Sequence, residues 1–234
     1  MVDKGQIIQP GLDFRLVMII AGLIITLNLC SGIMGPKVID LGPMLYHASV
    51  TCGVIPFCLA FFLMDVFTNQ YGSSYAKQLS VGVAACNLAM ALALYGLTKI
   101  PAADMSHETG NYQHQFDPMI RSFLAGTIAT LIAFYINCRI FSKLFVYFKG
   151  KHLWLRCVGA TSIGELVYST VFDFVFFINR LNTSEIITII INNYGFKFMF
   201  EVVTMPVTYL LVYLLSKYEY KAPIKYSNFK LTLL

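Results

Sequence analysis

Apolar residues gather in six long runs separated by short polar connections, and each run reaches the about 20 residues that a spanning helix needs. The runs predict transmembrane helices near Phe14–Gly35, Gly42–Val66, Ala76–Thr98, Pro118–Ile140, Leu155–Asn179 and Ser184–Leu215, the fourth extendable to Phe148. The second run ends in an unusual way. From Pro56-Phe57 to Met64 it is apolar, then Asp65, Thr68, Asn69 and Gln70 follow, and Tyr71-Gly72 closes it. A helix that carries an acid, a hydroxyl and an amide just before a glycine break can present them to a protein-lined cavity and keep them from lipid. The sequence shows no internal repeat and no low-complexity segment, so residues 1–234 read as one integral-membrane domain, an all-α polytopic helical bundle.

Composition agrees with the spans. With 57% hydrophobic and 12% charged residues and a mean hydropathy of +0.68, the chain lies far from the about 25% charged residues of soluble domains. The net charge of +5 does not indicate a nucleic-acid partner, because the basic residues fall in short loops and the tail and form no single face. Lys143, Lys149, Lys151, His152 and Arg156 make one connection basic, and Lys217, Lys221, Lys225 and Lys230 do the same for the C-terminal tail. The longest polar connection, Lys99 to Asp117, carries Asp104, Glu108 and Asp117. The positive-inside rule then predicts cytoplasmic N- and C-termini, which six spans permit and Lys4 and Arg15 favour. Cys30, Cys52, Cys58, Cys86, Cys138 and Cys157 lie in or beside apolar runs without metal-site spacing, and His47, His107, His114 and His152 are scattered. Free thiols and no metal or cofactor are expected. The first run lacks a small-residue cleavage site and reads as an uncleaved span.

Polar residues inside the spans carry the functional information, because a charge at the bilayer centre costs about 2.5–3.5 kcal/mol on insertion scales. Glu165 lies inside the fifth span, and Lys197 and Glu201 lie inside the sixth, four apart on one helix face with Tyr194 a turn earlier. The short connection between these spans makes them antiparallel neighbours, which brings Glu165 toward Lys197 and Glu201. The bland alternative is an ion pair that neutralises itself between helices. Two acids against one lysine leave a surplus carboxyl, a candidate proton carrier or partner for a substrate N–H. Asp65, Thr68 and Asn69, with Tyr71 beyond, form a second cluster, against the alternative that Asp65 marks a helix end at the interface. Asn28 in the first span and Arg121 in the fourth have ordinary alternatives, an interhelical hydrogen bond and snorkelling. Gly22, Gly82, Ala89, Gly126, Ala133 and Gly164 are small enough to let helices approach closely, and Tyr46, Tyr71, Tyr147, Trp154 and Tyr218 suit the membrane interface.

Four groups of residues together resemble the bacterial queuosine precursor transporter family. They are Pro56-Phe57 with Asp65, Thr68 and Tyr71-Gly72; Arg121 with Ala129 and Phe141; Trp154-Leu155-Arg156 leading to Gly164-Glu165 and Phe172; and Tyr194, Lys197, Glu201 and Pro206. The resemblance implies a multi-span bacterial inner-membrane importer of 7-deazaguanines such as 7-cyano-7-deazaguanine, 7-aminomethyl-7-deazaguanine or queuine, which serve tRNA modification. The chain departs from the family pattern where Asn69, Asn137 and Tyr168 stand in place of acids. A deazaguanine offers an N1–H and an exocyclic amine side by side to a carboxylate and an O6 to a donor such as Lys197. Tyr71, Tyr168, Phe172 and Tyr194 are available to stack on its ring. In this reading Glu165, Glu201 and Lys197 hold the edge of the heterocycle and Asp65, Thr68 and Asn69 complete the cytoplasmic side. The alternatives are a substrate-binding subunit of a multi-component importer and, without a paired His/Asp motif or phosphate loop to support it, a membrane enzyme. Proton coupling, sodium coupling and facilitated diffusion are all compatible with the sequence, as is a homo-oligomer.

Overall fold

A computed structural model of the chain describes residues 14–42, 47–100, 112–149 and 152–218. It consists of six helices and one small hairpin: α1 Phe14–Met34, β1 Val38–Asp40, β2 Ser49–Thr51, α2 Val54–Tyr71, α3 Ser73–Lys99, α4 Tyr112–Tyr147, α5 Leu153–Phe177 and α6 Thr183–Tyr218. All six helices are long and apolar enough to cross a membrane, so the all-α, six-span expectation holds. Lys4, Tyr46, Asp104, His107, Glu108, Lys151, Lys221, Lys225 and Lys230 lie outside the described residues, as do the side chains of Lys217 and Tyr218.

The second span departs from its expected bounds. It begins at Val54 where hydropathy placed Gly42, and it continues to Tyr71. Residues before it form the antiparallel hairpin β1–β2, with Ile39 opposite Val50. Local chemistry explains the difference. Val38, Ile39, Val50 and Thr51 are β-branched, and Gly42 adopts φ 77° while its N–H donates to Asp40 Oδ1 at 2.7 Å. Hydropathy registers such residues as membrane-compatible but does not register the turn.

α2 is the central helix. Apolar on every side, it is the most buried of the six, and it packs on α1, α3, α5 and α6. Phe57, Phe61, Met64 and Phe67 join Ile24 of α1, Phe134 of α4 and Phe176 of α5 in the main core. α2 ends where the sequence placed the break, with Gly72 at φ 90°, a conformation only glycine adopts without strain. α4 packs closely against α3 and α5, and small residues explain the proximity: Ala125, Ala129 and Ala133 are fully buried, and a Cβ on Gly164 would lie 3.0 Å from Asn137 Cβ. Gly22 and Gly82, by contrast, have nothing within 4 Å of a built Cβ, and Ala89 is exposed, so these three do not serve helix contacts as expected. Gly32 and Gly53 do: a Cβ there would overlap the Phe123 ring and the Ser31 carbonyl.

α6 is 36 residues long, has Pro206 within it and, among the described residues, packs mainly on α2, α5 and the hairpin. Its other faces carry Ile187, Ile191, Val203, Leu210 and Tyr213, all exposed.

Candidate functional site, a buried polar column

α5 has a face of polar residues at spacing four: Thr161, Glu165, Ser169 and Asp173, none more than 2% exposed. α6 has a matching face, Asn193, Lys197 and Glu201, also at spacing four and buried. Residues four apart stack along one side of a helix, so two antiparallel helices facing each other this way build a continuous polar column. α2 and α4 close it with Phe57, Asp65 and Asn137.

At the hairpin end, Asn193 Oδ1 accepts from the Thr51 N–H at 3.0 Å and from its hydroxyl at 3.4 Å, and Asn193 Nδ2 donates to Asp173 Oδ2 at 2.9 Å. Asn192 Nδ2 adds a bond to the Ser49 carbonyl at 3.2 Å. The hairpin is therefore fastened to α6. Beneath it lies a cavity of about 10 Å³ bordered by Thr51, Phe57, Phe172, Asp173, Asn193 and Lys197 among others. Asp173 Oδ1 has no hydrogen-bond partner among the described residues.

One turn further along, Lys197 Nζ donates to Ser169 Oγ at 2.9 Å and lies 4.3 Å and 4.5 Å from the ring centroids of Phe57 and Tyr168. Among the described residues no carboxylate comes within 4 Å of it. The self-neutralising ion pair considered for Glu165, Lys197 and Glu201 is not formed. The ammonium is held by a hydroxyl and two π faces instead. Those rings begin a ladder: Phe57 and Tyr168 centroids are 3.9 Å apart, and Tyr168, Phe172 and Phe176 follow at 5.5 Å and 5.8 Å with nearly parallel planes. Glu165, on the next turn of α5, has a carboxylate oxygen without a hydrogen-bond partner among the described residues.

Below Glu165, Asp65 accepts from the Thr161 hydroxyl at 2.5 Å and from Asn137 Nδ2 at 3.2 Å, and its carboxyl group faces that of Glu201. Asp65 is 1% exposed within α2, so it does not mark a helix end at the interface. At the far end of the column Arg156 donates to Asn69 Oδ1 at 2.8 Å and lies over the rings of Phe141 and Phe145. Although its neighbours in sequence suggest a basic loop, Arg156 is 2% exposed. Two of the departures from the family pattern now have physical consequences: Asn137 supplies a donor to Asp65 and Asn69 an acceptor to Arg156.

Of the residues singled out from the sequence, Asp65, Asn69, Glu165, Tyr168, Phe172, Lys197 and Glu201 line the column. Thr68 is adjacent and buried, but its hydroxyl donates to the Met64 carbonyl. Tyr71 packs on Phe67, ring centroids 4.7 Å apart. Tyr194 is half-buried beside Phe198, which faces outward. Asn28 is buried on α1, one turn before Ser31. Arg121 is committed to the end of α5, donating to the carbonyls of Val175 at 3.1 Å and 3.3 Å and of Ile178 at 2.6 Å. Sequence reasoning missed Asp173, an ionisable residue in a span like Glu165, and with it Thr161, Ser169 and Asn193. The spacing-four run through Glu165 was the signal that would have found the α5 residues.

The column holds four buried acids, Asp65, Glu165, Asp173 and Glu201, against two buried cations, Lys197 and Arg156. In a low-dielectric interior such an excess is stable only when protons or ligand donors neutralise it.

A family model described as "Putative vitamin uptake transporter" matches residues 51–211, which includes every residue of the column. A Bacillus subtilis (strain 168) protein named "Probable queuosine precursor transporter" is 21% identical over 183 residues, covering 78% of each chain. No solved structure gives a significant match.

Proposed function

Because the chain belongs to the putative vitamin uptake transporter family, we propose that it imports queuosine precursors, 7-deazaguanines such as 7-cyano-7-deazaguanine, 7-aminomethyl-7-deazaguanine or queuine, across the bacterial inner membrane. The name of its Bacillus subtilis relative points the same way. The observation that carries the reading is the juxtaposition around Lys197: a cation against an aromatic ladder, with unpartnered carboxylate oxygens on Asp173 and Glu165 one α5 turn to either side of its Ser169 partner.

A deazaguanine uses all three features. Its O6 accepts from Lys197, its N1–H and exocyclic amine donate as a parallel pair to one carboxylate, and its ring lies on Phe57, Tyr168 or Phe172. Stacking of this kind contributes about 1–3 kcal/mol per base in nucleic-acid sites. The carboxylate is Asp173 or Glu165, each with an oxygen to offer. The present cavity of about 10 Å³ is far below the roughly 300 Å³ at the lower end of small-molecule pockets. Binding beneath the hairpin therefore requires α6 or the hairpin to move. With the basic connection and tail in the cytoplasm, the hairpin faces outward and covers the entry to the column.

The test is uptake by the purified chain in liposomes with a panel of deazaguanines, pterins and purines. Uptake of a deazaguanine, abolished in Glu165→Gln or Asp173→Asn with protein level unchanged, is the expected result. A chain that moves pterins or purines but no deazaguanine overturns the substrate assignment, and one that needs an added energising complex is a substrate-binding subunit.

A further inference from the structure

Asp65 of α2 and Glu201 of α6 turn their carboxyl groups toward each other inside the bundle, 1% and 4% exposed. Both oxygens of Asp65 already accept, Oδ2 from the Thr161 hydroxyl and Oδ1 from the Asn137 amide. An ionised carboxylate can only accept, and two of them in buried contact repel unless a proton lies between them. Donors on both oxygens of Asp65 make it the acceptor of the pair. A proton placed on Glu201 and shared with Asp65 satisfies both carboxyl groups.

Among the described residues no neighbouring cation does this work instead. Lys197, a turn before Glu201, has its ammonium on Ser169 and the two rings. Arg156 is engaged with Asn69, Phe141 and Phe145, and Lys77 of α3 lies over the Tyr135 ring. The other titratable groups facing the pair are the thiols of Cys58, Cys138 and Cys157 and the carboxyl of Glu165. None of these is a cation. The surroundings have acceptors to spare as well: Asn137 Oδ1 and Glu165 Oε2, on side chains 3% and 2% exposed, have no partner. An oxygen-rich site without a local cation calls for a cationic ligand, and the one that needs no room is a proton.

We infer that Asp65 and Glu201 form the proton-binding site through which import is coupled to the proton gradient, an inference that rests on the transport reading above. With the proton bound, the pair ties α6 to α2 and the column is closed. Loss of that proton to the cytoplasm leaves two facing carboxylates, whose repulsion parts α6 from α2 and opens the column inward. After substrate and proton leave, the column closes inward and opens outward, and the pair takes up one proton from outside for each substrate imported.

Infrared difference spectroscopy on the full chain in lipid tests the site without any substrate. A carboxylic-acid C=O band is expected at pH 7, lost in part in Glu201→Gln and shifted in Thr161→Val, which keeps both acids and covers the case in which the first variant fails to fold. If neither substitution alters the band, the site is overturned. In proteoliposomes, a gradient of one pH unit, acid outside, is expected to raise deazaguanine accumulation about tenfold, the equivalent of 1.4 kcal/mol, and to have no such effect in Glu201→Gln. Accumulation that ignores the pH gradient or follows a sodium gradient overturns the coupling while leaving the substrate reading intact. A band that depends on Glu201 in a protein that moves no deazaguanine supports the proton site and sinks the substrate reading alone.

Discussion

Replacing Asn193 by Ala is expected to loosen the hairpin from α6. Asn193 is the acceptor for the backbone N–H of Thr51, a residue only 4% exposed, and the donor to Asp173 Oδ2. Alanine leaves the buried N–H without a partner, at a cost of about 1–3 kcal/mol, and removes a bond to an acid worth about 1.5–3 kcal/mol. Part of this is recovered by water entering the small cavity beside Thr51, so a net loss of about 2 kcal/mol for the closed hairpin is a reasonable expectation. That loss raises the open fraction roughly thirtyfold. Cys52, half-buried and next to Thr51, reports it directly. In a variant that keeps Cys52 and lacks the other cysteines, Asn193→Ala should accelerate labelling by a membrane-impermeant maleimide applied from outside. Asn192→Ala, which removes only the bond to the Ser49 carbonyl, should do so less. Unchanged labelling in Asn193→Ala would refute the idea that this side chain fastens the hairpin.

Lys197→Met should abolish uptake and also lower thermal stability by about 1–3 kcal/mol, because Ser169 loses its charged donor and the column's excess of acids grows; uptake and thermal unfolding of the same preparation check both halves. Arg121→Ala should lower thermal stability by about 2 kcal/mol through loss of its bonds to the α5 carbonyls, with substrate affinity unchanged per folded molecule. The turn of the hairpin should weaken in acid. The Gly42 N–H and, less strongly, the His47 ring hold the Asp40 carboxyl below its ordinary value of 3.8. Its contribution is therefore fully present above that value and is lost as pH falls through the lowered one, which hydrogen exchange of β1 and β2 at low pH, compared with Asp40→Asn, can detect.

Six spans were legible in the sequence because the need for about 20 apolar residues leaves a signal that side-chain detail does not disturb. The start of α2 was not, since Val38, Ile39, Val50 and Thr51 are as apolar as a span demands while their pairing depends on a turn. Glu165, Lys197 and Glu201 stood out by cost alone, and Asp173 met the same criterion. Thr161, Ser169 and Asn193 did not. A hydroxyl on a helix is usually satisfied by the carbonyl one turn back, as Thr26, Thr127, Ser142 and Thr170 are here. Only the partner helix distinguishes those from Thr161, which turns its hydroxyl to Asp65. Arg156 illustrates the opposite error, in which basic neighbours concealed a guanidinium held between aromatic rings.

α6 supplies one wall of the polar column, and its attachments come at successive turns: Asn193 to Thr51 and Asp173, then Lys197 to Ser169, with Glu201 facing Asp65 as the third in the coupling inferred above. Fastened in that way, a single helix can be unbuttoned from either end while the other remains done up. Pro206 deprives the turn after Glu201 of a backbone bond, so the lower end is the easier one to bend. The other five helices can then stand as a fixed frame, and the side from which the column is reached depends on which buttons are undone.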